Sequence, residues 1–465
     1  MAAPPDSIQW GDKAGALWCP KRGWVGPENL RATAAAVQHW AATAPPGLIA
    51  LQEPDPLFWG PALLGCAAAE RPAGVFPAGR PDRIGPGPDL IPDLLPSGYL
   101  KTVTISDYSW SGPVLLGTSG TMGPGSVLMR RLEAWTGAFT REAHWLGLGS
   151  QDRLLCIGYA GFSLTVYALL RGLHLESPIA VLPDGAPPAM LLAAQEAVAP
   201  TLLYGAPGTL RAMADGLPDA ALPDIRLVPT GGGPLRPSEK AALHRVMPGA
   251  AVLPFYGATE TGYISLANPK QKVPQGSAGR VVPDVQLTVL PENQVAGDGG
   301  GVRVVSPDLA QGQVASGGQI VPLADTDGGH VLRDRVSIDA DGFLTVLGRS
   351  DAVIPVGGML LDPGPVERRL ESLPEIQEAM LLPLTRPGGA CVPQAILCLA
   401  AGSGLSAALR QEIRGLLSAP ERPRKISLYP GALPLNASGK RDRKALMAWL
   451  DAQANRTTMR SSTDR

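Results

Sequence analysis

"LLGTSGTMGPGSV", Leu115 to Val127, is the stretch whose reading decides the fold. Apolar residues lead into it. Gly117, Thr118, Ser119, Gly120 and Thr121 then follow in a row, with Gly123 close behind and no lysine anywhere in the stretch. Glycines let a backbone approach an anion closely, and hydroxyls and free amides can cradle one. "PVLLGTSG" reads as a strand running into this loop, and "SVLMRRLEAWTGAFTREAHWLGL" behind it has helical periodicity. A strand, such a loop and a helix would make a phosphate cradle. Taken alone, the stretch reads equally well as a surface turn. The GxxxxGK[ST] pattern of a P-loop is excluded, because it needs a lysine.

Working outward, strands alternate with helices on the C-terminal side: "RLLCIGY", "SLTVYALLRGL", "PIAVLPDG", "AMLLAAQEAVA", "TLLYG", "GTLRAMADGL", "DIRLVPTGGG", "PSEKAALHRVM" and "AAVLPFYG". That alternation implies a mainly parallel α/β sheet. On the N-terminal side, Leu30 to Ala42 reads as a helix, "GLIALQEPD" as a buried strand and turn, and "YLKTVTIS" as a strand. Arg71 to Gly98, rich in Pro and Gly, reads as a long irregular connection. From about Gly276 the texture changes to short strands with Gly and Asp turns, an antiparallel β subdomain. After Asp351 a small α+β unit follows, with helices near Gly364 to Leu373 and Ser406 to Leu417. The polar end beyond Ala452 reads as a frayed tail.

The 465 residues suffice for two or three domains, and 45% of them are apolar, enough for sizeable cores. A net charge of −1 argues against nucleic-acid or membrane-surface binding driven by bulk charge. The 56 glycines and 48 prolines follow no period, which fits a loop-rich globular enzyme. The five cysteines (Cys19, Cys66, Cys156, Cys391 and Cys398) form no CxxC pair, so neither a disulfide framework nor a zinc site is expected. No basic-then-apolar leader and no bilayer-length apolar run is evident, so the expected location is cytoplasmic, with no membrane span.

Three more stretches can carry chemistry. In "PFYGATETG", Pro254 to Gly262, Tyr256 could stack on a base, Thr259 could donate to a phosphate, and Glu260 is a hard oxygen ligand suited to Mg2+. The same residues also suit an ordinary strand end with a capped helix start. "LRDRVSIDADGFLTVLGRSD", Leu332 to Asp351, has an Asp-Gly hairpin turn and ends in Gly-Arg-x-Asp. "LPLNASGKRDRKAL", Leu433 to Leu446, sets Lys440 behind a Ser-Gly turn, where a lysine is often merely solvated.

Taken together and in this order, the four stretches resemble those of the adenylate-forming superfamily: acyl-CoA synthetases, adenylation domains of peptide synthetases, and luciferases. That family's TSGTTGxPKG loop, YGxTE, GRxD and SGKxxRxxL correspond here to "TSGTMGPGS", "YGATET", "GRSD" and "SGKRDRKAL". "TGGGPL", "GSAGRVVPDVQLTVL" and "VGGMLLDPGPVE" are similar to segments lying between and after them, so the likeness spans roughly Leu115 to Leu446. The fold it implies is α/β: a large N-terminal domain of mainly parallel α/β sheets plus a β subdomain, with a small mobile α+β C-terminal domain. The boundaries fall at 1–350 (about 276–350 being β-rich), 351–452 and a flexible tail, 453–465. The activity it implies has two half-reactions, acyl-AMP formation from ATP and a carboxylate, then transfer to a thiol. By the same resemblance Thr118, Ser119, Gly120 and Thr121 hold the β- and γ-phosphates, Thr259 the α-phosphate, and Glu260 binds Mg2+. Gly232, Gly233, Tyr256 and Gly257 belong to the nucleotide side, Asp334 and Arg349 to the ribose, and Asp351 to a hinge. Lys440 bridges the attacking carboxylate and the α-phosphate, where charge develops in the transition state.

The sequence departs from the pattern in places. Gly125 and Ser126 stand where the family loop has its lysine, Arg333 replaces the glycine of "TGD", and Pro355 and Leu360 replace basic residues after the hinge. These losses leave open a catalytically degenerate nucleotide- or acyl-binding member, and a phosphotransferase making ADP is the third reading. The segment "IGYAGFSLTVYALLRGL", Ile157 to Leu173, carries no acidic residue to meet an α-ammonium, so an α-amino acid is disfavoured. Tyr159, Gly161, Phe162 and Ala258 are the candidate acyl pocket for an aryl or acyl acid, with plain helix packing as the alternative for the first three. The expected cofactors are ATP, Mg2+ and either CoA or the phosphopantetheine of a separate acyl carrier protein.

Overall fold

The computed structural model describes residues 17–19, 23–43, 48–51, 56–69, 71–75, 100–103, 113–117, 127–291, 300–314, 320–356, 359–386, 391–400, 402–435 and 441–463. Its centre is a nine-stranded sheet in which Ala251–Ala258, Leu227–Thr230, Leu202–Tyr204, Leu154–Ile157, Ile179–Leu182 and Leu17–Cys19 run parallel in that order. Antiparallel strands Gly262–Leu266 and Arg280–Val281 finish one edge, and Gly23–Val25 the other. Side chains alternate across a strand, and both faces here are covered, so these strands are apolar throughout. Leu154, Cys156, Ile179, Val181, Leu202 and Tyr204 enter one core; Leu155, Ile157, Ala180, Leu182 and Leu203 enter another on the opposite face.

The second core is closed by helices Pro188–Val198, Pro207–Asp215 and Pro237–Val246. The first contains helices Pro56–Ala68, Leu132–Leu146 and Ser163–His174, together with Leu51, Ala73, Val75, Val114 and Leu116 of a seven-stranded sheet. The α/β expectation therefore holds: mixed sheets with a parallel centre and helices packed between them. A three-stranded sheet, Gln286–Leu290, Gly301–Val305 and His330–Leu332, is wholly antiparallel and has its own core, as the change of texture near Gly276 implied. Beyond it, Ile376–Thr385, Cys391–Leu399 and Lys425–Leu428 form a sheet packed with helices Pro363–Leu370 and Ala407–Leu416.

Some local expectations are corrected. Val127–Arg131, read as the start of a helix, is a strand paired antiparallel with Pro113–Gly117, and the helix is Leu132–Leu146. Gly117 pairs with Val127, so the described residue that follows the stretch 118–126 begins a strand and not a helix. Leu128, Met129 and Arg130 are all buried, and a short fully buried run does not reveal its period. Ala73–Val75 is a strand inside the stretch read as irregular, and helix Pro56–Ala68 went unread because Pro61 lies within it. The last helix, Arg443–Thr463, runs through the segment read as a tail, which has neither Pro nor Gly to stop it.

Candidate active site

The carboxyl ends of the parallel strands gather most of the predicted residues, as expected of an open α/β sheet. Strand Ala251–Ala258 delivers Tyr256, Gly257 and Ala258, turns at Thr259–Thr261, and returns as Gly262–Leu266. The pairing slips between Tyr256 and Gly257, which lets the turn close tightly. A Cβ on Gly257 would stand 2.4 Å from the Gly262 carbonyl oxygen, so only glycine fits. Gly262 itself has φ +73, in the left-handed region.

This turn is gripped from several sides. An Arg130 guanidinium nitrogen donates to the Thr259 carbonyl at 2.6 Å. The Ala310 amide donates to the Glu260 carbonyl at 2.7 Å, and the Ser306 hydroxyl to that of Thr261 at 3.1 Å. The Thr259 hydroxyl lies 3.2 Å from the Ser163 hydroxyl at the start of helix Ser163–His174, which links the turn to the segment carrying Tyr159, Gly161 and Phe162. Every backbone oxygen of the turn is occupied, so the side chains of Thr259 and Glu260, both half-buried, are held by a fixed frame.

Tyr256 donates its phenol to Asp334 at 3.0 Å, and burial, then the neighbouring Asp334 charge, drives the phenol well above its ordinary range. It stays a protonated donor. Asp334 faces Arg349 across the hairpin Asp334–Ile338/Leu344–Arg349, with a guanidinium nitrogen 3.9 Å from its carboxylate. Asp351 sits just beyond, in the short turn Ser350–Ala352 that Ser350 ties to the Arg333 carbonyl at 2.8 Å. On the other flank, Thr230 pairs in register with Pro254, bringing Gly231 to Gly233 alongside Phe255 and Tyr256. A Cβ on Gly231 would meet the Phe255 ring at 2.4 Å; Gly232 has φ +85, and Gly233 is open to solvent. The structure therefore brings together Gly232, Gly233, Tyr256, Gly257, Thr259, Glu260, Asp334 and Arg349.

Gly161 lies against the Tyr159 ring and the Val75 carbonyl, where a Cβ would come within 2.8 and 3.0 Å. Phe162 packs on the first core and Ala258 on the β-subdomain core, so each also serves packing. Thr118, Ser119, Gly120, Thr121 and Lys440 lie outside the described residues. The frame around Lys440 is described. Leu435 and Arg441 form an antiparallel bridge, and Arg441 pairs with Glu371 at 2.6 Å and Glu378 at 3.2 Å. Glu371 also accepts from Arg236 at 2.7 Å, beside the glycine segment.

Sequence reading missed Arg130, Ser163 and Ser306. Only the adjacent "RR" at Arg130 and Arg131 hinted at one of them, and the other two are ordinary serines until the fold places them. It also missed Glu142, which lies behind the site. This fully buried carboxylate accepts from Tyr167 at 3.1 Å, Tyr204 at 2.9 Å, Tyr263 at 2.8 Å and Arg171 at 2.9 Å. Tyr263 belongs to the returning strand, so this cluster braces the turn from below.

Residues 114–313 match the family model described as AMP-binding enzyme. These residues form an AMP-binding domain. The p-hydroxybenzoic acid–AMP ligase FadD22 of Mycobacterium marinum is 29% identical over 342 residues, covering 71% of this chain and 48% of that protein. The 3-hydroxybenzoate–CoA/4-hydroxybenzoate–CoA ligase of Thauera aromatica is 28% identical over 357 residues, 72% of this chain and 66% of its own. The chain spans about half the length of the FadD22 relatives it matches. Among solved structures, ATP-bound MatB from Rhodopseudomonas palustris superposes with a TM-score of 0.77 at 17% identity, covering 95% of this chain and 96% of that one. The anthranilate CoA ligase AuaEII with anthranoyl-AMP gives 0.72 at 19%, covering 94% and 95%. At such identities these two show the fold alone.

The described residues contain no group of three or more His, Cys, Asp or Glu able to hold a metal by themselves. Mg2+ nonetheless fits the donor set. This ion takes one or two carboxylates and fills its remaining positions with water and substrate phosphate, and Glu260 is such a carboxylate. No described helix is long and apolar enough to cross a membrane.

Proposed function

We propose that the chain activates an aryl or acyl carboxylic acid, not an α-amino acid, by adenylation with ATP, and passes the acyl group to a thiol. In the first step a carboxylate oxygen attacks the α-phosphorus, pyrophosphate leaves, and an acyl-AMP mixed anhydride remains. In the second, a thiolate attacks the acyl carbon and AMP leaves. The observation that carries this reading is the Thr259–Glu260 turn, fixed by Arg130, Ala310 and Ser306 and linked through Ser163 to the acyl-pocket segment. Such a turn meets an α-phosphate and an acid on the same side.

In this reading the Thr259 hydroxyl donates to the α-phosphate, and Glu260 would hold Mg2+, which neutralises phosphate charge when bound. Asp334 accepts from the ribose hydroxyls, held in place by the Tyr256 phenol and Arg349. Gly232 and Gly233 give the base a wall without side chains. Lys440 brings its ammonium to the attacking oxygen, with Asp351 as the hinge between residues 1–350 and the C-terminal unit. Tyr159, Gly161, Phe162 and Ala258 shape the acid pocket. The matched hydroxybenzoate ligases and the acid-free segment Ile157 to Leu173 support an aryl acid. CoA is the first acceptor and a carrier-protein phosphopantetheine the second.

The test is hydroxylamine trapping over hydroxybenzoates, anthranilate, malonate and long-chain acids, with AMP measured, then repeated with CoA and with holo carrier protein. Acid-dependent AMP and pyrophosphate, lost in Lys440→Ala, are expected. ATP binding with no AMP from any acid would refute the reading and favour a non-catalytic binder, for which the lysine-free loop speaks.

A further inference from the structure

The described apolar cores do not cross the turn Ser350–Ala352. Those before it draw on residues up to Val346, and those after it begin at Ile354. Two parts joined by polar contacts move relative to each other unless something holds them. Arg335 meets Asp362 at 3.1 Å beside Gly348, next to the turn. Arg236 meets Glu371 at 2.7 Å across 135 residues of chain.

Arg236 is presented from a fixed frame. It precedes helix Pro237–Val246, its amide donates to one Glu239 oxygen at 2.7 Å, and a terminal guanidinium nitrogen donates to the other at 2.9 Å. Its Nε is left to reach Glu371, whose two oxygens are shared out. One accepts from Arg236; the other accepts from Arg441 at 2.6 Å and from the Ala379 amide at 3.0 Å. The side chains of Arg236, Glu371 and Arg441 are only 17%, 9% and 8% exposed. Burial opposes the Arg236 charge, and Glu371 and then Glu239 more than restore it, so the guanidinium lies above its ordinary range. Buried pairs of this kind add little net stability over apolar packing. What they secure is one arrangement, because any other leaves a charge buried without its partner. Arg236 follows Gly233 of the glycine segment by three residues, and Arg441 follows Lys440 directly. The shared carboxylate thus ties the glycine segment to the part of the chain that bears the lysine.

Resting on the adenylation reading, we infer that Arg236 is a positioning residue: through Glu371 it latches the C-terminal unit in the orientation in which acyl-AMP forms. Loss of one charge-assisted pair shifts such an equilibrium by about tenfold to a hundredfold.

Arg236→Met keeps the apolar stem and removes the charge. With 4-hydroxybenzoate, or the acid that trapping selects, kcat for acyl-AMP formation is expected to fall about threefold or more with KM for ATP within about twofold of the parent. Transfer from supplied acyl-AMP to CoA keeps the parent rate, and Arg236→Lys recovers part of the first step. Glu239→Gln is the control. It removes the ion pair at the helix start, leaves Arg236 with Glu371, and should behave as the parent. Hydrogen exchange read by mass spectrometry needs no turnover. Peptides covering 234–240 and 371–379 should exchange faster in Arg236→Met, with Leu154–Ile157 and 394–397 unchanged. Both half-reactions slowed alike, an unchanged first step, parent-like exchange at either surface, or the same split in Glu239→Gln overturns the proposal. Should Arg236→Met fail to fold, Arg236→Lys is judged by the same readouts. A parent that makes no AMP from any acid sinks the adenylation reading. Exchange then decides the latch alone: faster in the variant supports it, and parent-like overturns it.

Discussion

Replacing Glu142 by glutamine removes one negative charge from the centre of a cluster that water does not reach. The carboxylate of Glu142 is completely buried, and Arg171 beside it is 1% exposed, their ion pair measuring 2.9 Å. Three phenols, Tyr167, Tyr204 and Tyr263, donate to the same carboxylate, and burial pushes all three well above their ordinary pKa, so they remain donors at any working pH. In the variant Arg171 keeps its charge without a counter-ion, which costs about 3–5 kcal/mol for a broken buried pair. The amide also turns an N–H group toward phenols that themselves donate, leaving one donor unsatisfied at about 1–3 kcal/mol more. The terms overlap and are not additive. A loss of about 4 kcal/mol is a large share of a typical 5–15 kcal/mol. Tyr263→Phe is the control. It removes one donor of four, and about 0.5–1.5 kcal/mol should go. The assay is urea unfolding followed by tryptophan fluorescence, comparing midpoints at equal slope. If Glu142→Gln loses no more than Tyr263→Phe, the cluster is not held by its charge and the reasoning fails.

Three further outcomes are expected. Tyr256→Phe deletes one hydrogen bond to Asp334 but leaves Arg349, so KM for ATP should rise about twofold to tenfold with little change in melting temperature; an unchanged KM would separate Asp334 from nucleotide binding. Gly257→Ala places a Cβ 2.4 Å from the Gly262 oxygen. The turn must shift, at about 1–3 kcal/mol, and ATP binding measured by dialysis should fall with stability. Burial holds the thiols of Cys66 and Cys156 up at about 12, so they keep their protons through pH 9. Raising the pH from 7 to 9 should leave both unlabelled by iodoacetamide in the native protein, with half-buried Cys391 labelled ahead of them, read by mass spectrometry.

The sequence by itself determined the parallel centre of the fold and named the segments of the candidate site. Apolar strands alternating with helices admit few other architectures, and Tyr256, Thr259, Glu260, Asp334 and Arg349 sit in short segments whose residue types carry their own chemistry. It could not determine that Leu128, Met129 and Arg130 extend into a strand, because a run buried on every side has no period to read. Nor could it find Glu142, Arg130, Ser163 or Ser306. Each takes its role from a partner far along the chain, as in Arg130 with Thr259 or Glu142 with Tyr263. Local pattern records what a residue is and which face it occupies. Which buried charge meets which donor is decided only when distant segments pack, because desolvation makes those few pairings strong and every other arrangement costly.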